Sequence, residues 1–372
     1  MSKKESLFDL YLLVPIFCLT LISIVFIFSS SNVLAYDNYQ DPFFFLKRQI
    51  IALSISLIIF SIFIFIPLSF YRENGALMII VTFFLLILVL IPWIGKEVNG
   101  SRRWLDLGFF NLQPSEVAKI FIPLYLCGYC LRRKEQLESS WWGFLKPLAI
   151  VGICCCLLLL EPDLGATVVL FMIGLSILFV GGAKTSQLVT LGFIFLIIIL
   201  IFVYFDEVRA TRVLSFSDPF DDPQNTDYQL LNALIASVQG GIFGMGIGES
   251  TQKYFFLPEA HTDFIFSIYV EETGITGMTV LFLLYFTIFF RLAHLTSTSF
   301  KRGYLLNSLF LLSFALIFFF QTILNVFVNL GLLPTKGLAL PFVSYGGSSA
   351  IMNFLILSIT LRASWEFRNN IK

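Results

Sequence analysis

The chain has 372 residues, of which 58% are hydrophobic and only 13% are charged, and its mean hydropathy is +0.88. Soluble domains carry about 25% charged residues, so this composition excludes an ordinary soluble protein, and its high hydrophobicity excludes intrinsic disorder. Lys plus Arg and Asp plus Glu number 24 each, which removes the electrostatic footprint expected of a nucleic-acid-binding protein.

Long apolar runs are the dominant feature of the chain, and a membrane-spanning helix needs about 20 such residues. Strands of a membrane β-barrel would show only weak alternation. The fold class predicted is therefore all-α: a polytopic membrane protein of about ten transmembrane helices in a single domain over residues 1–372. The ten predicted segments are 9–29, 48–67, 76–94, 113–131, 145–161, 164–182, 187–205, 262–290, 303–330 and 341–362. The fifth and sixth segments meet at Glu161-Pro162-Asp163, where a proline and two acids interrupt the run, and the ninth could end earlier, near Gln321.

The basic residues of the connecting loops indicate an orientation. With the N-terminus in the cytoplasm, the inner loops and tails hold 14 Lys and Arg and the outer loops hold 9; Lys119, inside the fourth segment, completes the 24. This bias predicts that both termini are cytoplasmic. Because 9 outer cations are still many, some of them are expected to serve an anionic ligand.

The largest loop covers residues 206–261 and is predicted to be extracytoplasmic. Tyr228, Leu231, Ile235 and Val238 fall close to one helical face, so this loop is expected to hold a short amphipathic helix at the membrane surface, capped by the Thr or Asp at 226 and 227. The glycine-rich stretch 240–248 that follows is better explained by tight backbone packing or a re-entrant turn than by a nucleotide cradle, since it follows no strand.

Charged residues in or beside membrane segments are expensive to bury and are candidates for functional sites. They are Arg102 and Arg103 beside Trp104, Glu116 with Lys119, Glu161 with Asp163, and Asp263. Each has an alternative structural interpretation. The Glu116–Lys119 pair could simply lock helices, the arginines could reach lipid headgroups, and Asp163 and Asp263 could be helix caps.

Further polar groups lie toward the C-terminus. Glu271 and Glu272 are expected to line a cavity, and Lys336 precedes the last segment. The small residues Ser344, Gly346, Gly347 and Ser348 near the start of that segment could permit close helix packing or present N–H groups to an anion. Together these residues predict an outward-facing cavity, suited either to an enzyme with a carboxylate general base or to a transporter with a carboxylate relay.

The sequence resembles the SEDS family (shape, elongation, division and sporulation) of bacterial cell-wall proteins over nearly its whole length. The matching stretches read N-G-S-R-R-W at 99–104, Q-P-S-E at 113–116 with Lys119, P-E-A-H-T-D-F-I-F at 258–266, and L-P-T-K-G-L-A-L-P-F-V-S-Y-G-G-S-S at 333–349. Glu259-Ala260 and Pro334 to Gly337 are closer to the division-type member than to the elongation-type member.

This resemblance implies a peptidoglycan glycosyltransferase that polymerises lipid II on the outer face of the cytoplasmic (inner) membrane, for septal wall synthesis in cell division. The alternatives are a lipid II flippase and an elongation-type polymerase. The implied partners are lipid II, a class B penicillin-binding protein transpeptidase and other membrane proteins of the division complex, and no nucleic acid. The family's essential aspartate corresponds to Asp263, as the base.

The resemblance also places Arg103, Trp104, Glu116 and Lys119 on the family's motifs. Cations at Arg103, Lys119 or Lys336 could offset charge on a departing pyrophosphate. A divalent cation (Mg²⁺ or Mn²⁺) could share that role with Glu116, although no tight protein metal site is evident, and no organic cofactor is expected.

Overall fold

The structure is a computed structural model, and it describes residues 6–98, 101–108, 111–205, 228–334 and 337–371. It is mostly helical, as predicted. Each of the ten predicted segments coincides with a helix: α1 (Leu10–Tyr39), α2 (Phe44–Phe63), α4 (Gly75–Leu90), α5 (Pro114–Arg132), α7 (Trp141–Leu160), α8 (Leu164–Val180), α9 (Thr185–Tyr204), α11 (Ile265–Lys301), α12 (Leu305–Asn329) and α13 (Gly347–Arg368). Two short helices, α3 (Leu68–Glu73) and α6 (Lys134–Ser139), lie between them, and α10 (Tyr228–Gln239) precedes α11.

Six of the described helices, α1, α2, α7, α9, α11 and α12, are long and apolar enough to cross a membrane, and α4 and α8 are shorter apolar helices. The helices α5 and α13 carry more polar residues and are largely buried among the others. This burial explains their lower hydropathy, because a helix surrounded by protein does not need an apolar surface all round. The ninth segment does not end near Gln321, since α12 continues to Asn329.

Local signals account for several helix ends. Pro114 occupies the first position of α5, where its missing N–H costs nothing. Ser140 caps α7 and accepts from the backbone N–H of Gly143 at 3.0 Å. Asp9 caps α1 and also forms an ion pair with Arg291 of α11 at 2.7 Å, which fixes the start of the first helix to the middle of another.

Three short strands, which the sequence analysis did not anticipate, follow α4. The strands β1 (Gly95–Val98), β2 (Ser101–Asp106) and β3 (Asn111–Leu112) form an antiparallel sheet in the order β1-β2-β3. Gly95 pairs with Leu105, which in turn pairs with Leu112. We call the end of the helical bundle that carries this sheet, the α7–α8 turn and the starts of α11 and α13 the site face.

The core of the bundle is centred on α12, which packs on α5, α8, α11 and α13, while α11 also packs on α1 and α13 also packs on α2. By contrast, α9 contacts the bundle mainly through α8, where the rings of Phe171 and Phe195 stack at 3.6 Å between centroids. Gln187 is the one buried residue of α9, so most of this helix faces the surroundings of the protein.

The helix α11 is broken at Gly274, whose φ of 67° is outside the helical range. Residues 241–246, here called the inserted segment, supply the missing hydrogen bonds. The carbonyls of Glu271 and Glu272 accept from the N–H groups of Met245 and Gly246, at 3.0 and 3.1 Å. In return, the N–H groups of residues 275 and 276 donate to the carbonyls of residues 241 and 242 at 3.0 and 3.1 Å. The glycine-rich stretch therefore serves tight backbone packing, as predicted.

The predicted amphipathic helix of the large loop is α10. The face that it buries is not the predicted one: Leu230, Ala233 and Ala236 are covered by α11 and α12, whereas Val238 of the predicted face is exposed. The helix therefore packs on the bundle. Residues 206–227 of the loop, including its predicted cap, lie outside the described residues.

Candidate functional site

Asp263 lies on the site face, in the turn that leads into α11. Asp263 lies two residues before the first residue of the helix, Ile265, and it is not the cap, because Phe264 occupies that position and makes no side-chain capping bond. The structure therefore contradicts the capping interpretation left open by the sequence. The side chain is half-buried, and no described residue donates a hydrogen bond to its carboxylate. The carboxylate oxygens are thus available to a ligand.

Burial and neighbouring charges make this carboxylate an effective base near neutral pH. Removal from water is the main cause, and together with the negative charge of Glu259 it raises the pKa of Asp263 to about 7. The positive charge of Arg103 acts in the opposite direction, and Asp163 adds a small upward effect. A carboxyl group that titrates near the operating pH can take up a proton and release it again.

The main chain of Asp263 is held from the side of α12. Its carbonyl oxygen accepts from the side-chain amides of both Asn325 and Asn329, at 2.9 and 3.0 Å. Neither asparagine is among the site residues predicted from the sequence. The signal that could have found them is their four-residue spacing in an apolar helix, which puts two amides on one face.

The turn before Asp263 is held from the other side by the chain that leads into α13. The N–H of Tyr345 donates to the carbonyl of His261 at 3.0 Å. The ring of His261 lies near the rings of Phe45 and Tyr345, with centroids 4.5 and 5.4 Å apart, and burial lowers the pKa of this histidine. His261 is therefore a neutral packing residue.

Glu271 and Glu272 are both buried and bind the chain that leads to the Asp263 turn. Of the two, Glu272 also lines a cavity, together with Thr273, as expected. Glu271 accepts from the backbone N–H of Thr251 at 2.8 Å and from the hydroxyl of Ser250 at 2.5 Å. Glu272 accepts from Ser29 of α1 at 2.5 Å and forms a buried ion pair with Lys253 at 3.5 Å. The two carboxylates anchor residues 250–253 and so support the approach to Asp263.

The strand β2 separates the two predicted arginines. Arg102 pairs with Glu97 of the neighbouring strand at 3.1 Å and belongs to the sheet surface. Arg103 instead donates to the carbonyls of Glu161 and Pro162 in the α7–α8 turn, at 3.0 and 2.5 Å. Side chains alternate across a strand, so the structure brings Arg103 toward Asp263 and leaves Arg102 in the sheet. Trp104, half-buried, pairs with Lys96 across β1 and β2.

The α7–α8 turn contributes two acids with different roles. Asp163 caps α8, because its Oδ1 accepts from the N–H of Ala166 at 3.0 Å, as the structural interpretation predicted. Its Oδ2 accepts from the side chain of Gln113 at 3.4 Å. Glu161 is completely buried, and neither of its carboxyl oxygens has a hydrogen-bond partner among the described residues. Burial raises the pKa of Glu161 to about 9, so this group is protonated at neutral pH.

Glu116 and Lys119 form the ion pair that their spacing predicted, with Nζ 2.6 Å from Oε1. The pair lies in the first turns of α5, below the surface, with 3% of the Lys119 side chain and 10% of the Glu116 side chain exposed. Gln113, just before α5, donates its backbone N–H to Ser348 of α13 at 3.1 Å. The start of α5 is thus tied to the start of α13.

The small-residue run before α13 is engaged in packing contacts. Ser344 accepts from the N–H of Leu340 at 2.8 Å, and the N–H of Gly346 donates to Gln49 of α2 at 3.3 Å. Gly347 is the first residue of α13, and this helix start is part of the site face. Lys336 lies outside the described residues.

The described residues do not fit a metal site made by the protein alone. They contain no group of three or more His, Cys, Asp or Glu side chains that could hold an ion. The predicted ligand Glu116 already has a cation, Lys119, at 2.6 Å.

Comparison with known proteins identifies close relatives across the full length. The model of the FtsW/RodA/SpoVE family, described as "Cell cycle protein", matches residues 10–369. The "Probable peptidoglycan glycosyltransferase FtsW" of Buchnera aphidicola subsp. Schizaphis graminum is 43% identical over 340 residues, 91% of this chain and 96% of that protein. The protein of the same name from Legionella pneumophila is 39% identical over 367 residues, covering 99% of this chain and 93% of that one.

Solved structures share the fold. One chain from a study described as "Structural coordination of polymerization and crosslinking by a peptidoglycan synthase complex" superposes with a TM-score of 0.77 at 28% identity, covering 96% of this chain and 98% of that one. The rod shape determining protein RodA of Thermus thermophilus superposes with a TM-score of 0.71 at 27% identity, covering 96% of this chain and 97% of that one.

Proposed function

We propose that this chain, which belongs to the FtsW/RodA/SpoVE family of cell cycle proteins, is a membrane-embedded peptidoglycan glycosyltransferase that polymerises lipid II. The observation that carries the proposal is the Asp263 carboxylate, which is half-buried on the site face and receives no hydrogen bond from the described residues. Its relatives named FtsW are 38–43% identical, whereas RodA is 27% identical, which favours the division-type role.

The reaction joins two lipid-linked sugars. The 4-hydroxyl oxygen of the acceptor attacks the anomeric carbon of the donor, the bond from that carbon to the lipid pyrophosphate breaks, and the pyrophosphate leaves with the bonding electrons. Asp263 accepts the hydroxyl proton and returns it to solvent after the transfer. Arg103 lies near enough to affect the ionisation of Asp263, and with the N-terminus of α13 it supplies positive potential for the leaving group.

We propose that the site face is on the outer side of the cytoplasmic membrane, with both termini in the cytoplasm. The distribution of Lys and Arg, 14 against 9, supports this orientation. The lipid tail of the substrate can then remain in the bilayer while the sugars reach Asp263. A role in septal wall synthesis places the protein at the division site with other membrane proteins of that complex.

The partner that we propose is a class B penicillin-binding protein transpeptidase. Support comes from the solved peptidoglycan synthase complex, described as coordinating polymerization and crosslinking, one chain of which shares this fold. The transpeptidase would cross-link the glycan strands that this chain makes.

We also propose that any Mg²⁺ or Mn²⁺ ion required arrives on the pyrophosphate of the substrate, because the described residues offer no three-ligand cage. Such an ion would supply charge neutralisation for the leaving group. Glu116, held by Lys119, would act on it only at a distance.

The test is polymerisation of labelled lipid II by the purified full-length chain with its transpeptidase partner. We expect glycan strands with the wild type and none with Asp263→Ala or Asp263→Asn. Full polymerisation by Asp263→Ala would contradict the role as a base. Transfer of lipid II across vesicles without glycan synthesis would favour a flippase, and complementation of an elongation defect alone would favour an elongation-type polymerase.

A further inference from the structure

We propose that Asn325 and Asn329 of α12 are positioning residues that aim the Asp263 carboxylate at the acceptor hydroxyl. This inference rests on the function proposed above. It starts from the fact that two side-chain amides converge on one main-chain oxygen, the carbonyl of Asp263, at 2.9 and 3.0 Å. Asn325 and Asn329 are 2% and 0% exposed.

Both asparagines make further contacts that restrict the aspartate. The second hydrogen of the Asn325 amide donates to the carbonyl of Leu338 at 2.6 Å. Leu338 follows Gly337, against which the Asp263 carboxylate packs: a β-carbon built on Gly337 would stand 3.0 Å from Oδ2. The Asn325 amide therefore holds the turn of Asp263 at a fixed distance from Gly337 and Leu338.

Asn329 connects the same carbonyl to the start of α11. Its Oδ1 accepts from both the backbone N–H and the hydroxyl of Ser267, at 3.2 and 2.8 Å, while its Nδ2 donates to Asp263. Because the donor and acceptor sides of the amide are used at once, rotation of the amide would break bonds on both sides. The first turn of α11 and the turn carrying Asp263 are held as one unit.

This support matters because the carboxylate has no hydrogen-bonded partner of its own among the residues described. Its direction is set by its backbone and by rotation about its own side-chain bonds. A reacting atom that is misplaced by about 1 Å can cost on the order of 100-fold in rate. Holding the main chain of Asp263 in place is therefore a direct way of keeping its carboxylate pointed at the acceptor hydroxyl.

The alternative is that these asparagines only join helices, as buried amides in membrane proteins often do. Asn307 provides a matched control on the same helix. It is 5% exposed, and its Nδ2 donates to the carbonyl of Ala363 in α13 at 3.0 Å. Asn307 lies near the start of α12, at the end remote from the site face, so Asn307→Ala removes a helix-joining bond without touching Asp263.

The experiment compares Asn325→Ala, Asn329→Ala and Asn307→Ala in the full-length chain with its transpeptidase partner. We expect the first two to lower kcat for lipid II polymerisation about 10–100-fold with KM changed less than about 2-fold, and Asn307→Ala to keep kcat. Asn329→Asp adds a sharper test, since it keeps the acceptor for Ser267 but replaces the donor to Asp263 with an oxygen. We expect it to be as slow as Asn329→Ala.

A second readout does not depend on activity. The difference in Tm between a protein and its Asp263→Asn derivative, followed against pH, reports the pH at which Asp263 ionises. We expect the midpoint of this difference to move in Asn325→Ala and Asn329→Ala and to stay in place in Asn307→Ala. If an alanine variant does not fold, Asn325→Gln and Asn329→Gln take its place in both measurements.

Unchanged kcat and an unchanged midpoint in the Asn325 and Asn329 variants would overturn the proposal. The proposal would also be overturned if the Asn325 and Asn329 variants lost no more kcat than Asn307→Ala. A wild type that makes no glycan would contradict the proposed polymerase activity instead, and the Tm midpoint would still decide whether the asparagines control the surroundings of Asp263.

Discussion

The carboxylate of Asp263 lies beside Gly337, so close that a β-carbon at position 337 would stand 3.0 Å from Oδ2. Gly337 is itself exposed. A side chain at this position would press on the carboxylate, and a glycine does not.

Gly337→Ala is therefore expected to lower polymerisation on the order of 10-fold or more, because the added methyl group displaces the carboxylate from its position. Steady-state turnover of lipid II measures this effect. Gly192→Ala in α9, where no atom lies within 4 Å of the added carbon, is the control and should retain wild-type turnover. Equal activity of the two variants would contradict the placement of Gly337 at the site.

The pH dependence of polymerisation is expected to follow the ionisation of Asp263. Its pKa is about 7, and only the ionised form accepts a proton, so the rate should fall as the pH drops below about 7. Glu259→Gln removes the nearby negative charge and should move this fall to lower pH, and it retains an acceptor for the Thr262 hydroxyl. A rate that stays constant between about pH 8 and 5 would contradict the assignment of Asp263 as the base.

The same ionisation affects stability. Because folding raises the pKa of Asp263 from 3.8, the folded state binds the proton more tightly, and stability present below the unfolded-state pKa is lost as the pH rises through about 7. Asp263→Asn should therefore raise Tm relative to the wild type at about pH 9 more than at about pH 4. Thermal unfolding of the purified protein at the two pH values measures this difference.

The buried pair of Glu116 and Lys119 offers a separate test. Lys119→Met leaves an unpaired buried carboxylate and should cost about 3–5 kcal/mol in the free energy of unfolding. The double variant Glu116→Gln/Lys119→Met should recover most of the stability but not the rate, if the cation contributes to leaving-group stabilisation. Lys134→Met, which breaks the exposed 3.7 Å pair with Glu138, is the control and should change stability by less than about 1 kcal/mol.

The break in α11 depends on glycines that allow the inserted segment to approach. Gly274→Ala would place a methyl group against the N–H of Gly244 in a left-handed backbone, so a loss of more than about 1–2 kcal/mol is expected. Gly248 also has a positive φ, but a β-carbon added there meets no atom within 4 Å. Gly248→Ala therefore measures the cost of backbone strain without a collision. Comparable Tm values for the two variants would contradict the packing described here.

Glu161 is expected to act as a neutral group. With a pKa of about 9 it is protonated at pH 7 in the folded protein but ionised in the unfolded chain, so Glu161→Gln, which needs no proton uptake on folding, should raise the free energy of unfolding at pH 7. Stability of the wild type should fall as the pH rises through about 9, where the buried carboxyl ionises, and the glutamine variant should not show this fall. Denaturation at about pH 7 and 10 makes the comparison.

Much of the fold could be predicted because each membrane helix is visible as one continuous apolar run in the sequence. An apolar run of sufficient length must be a helix in lipid, where each backbone polar group needs an internal partner. All ten predicted segments are helices, and the 116–119 ion pair and the Asp163 cap follow from spacing alone. The short sheet was missed because its strands span only two to six residues.

The site itself was decided by contacts between residues that are distant in the sequence. Charge, motif and resemblance singled out Asp263 from the sequence, but they left open whether it was a cap. Only the packing of α12 against the start of α11 brings Asn325 and Asn329 to its carbonyl, 62 and 66 residues away along the chain. Likewise, strand alternation in an unpredicted sheet separates Arg102 from Arg103. Local sequence determines which segments are helices, whereas the direction of a catalytic side chain depends on which helix faces meet, and that is a property of the folded bundle.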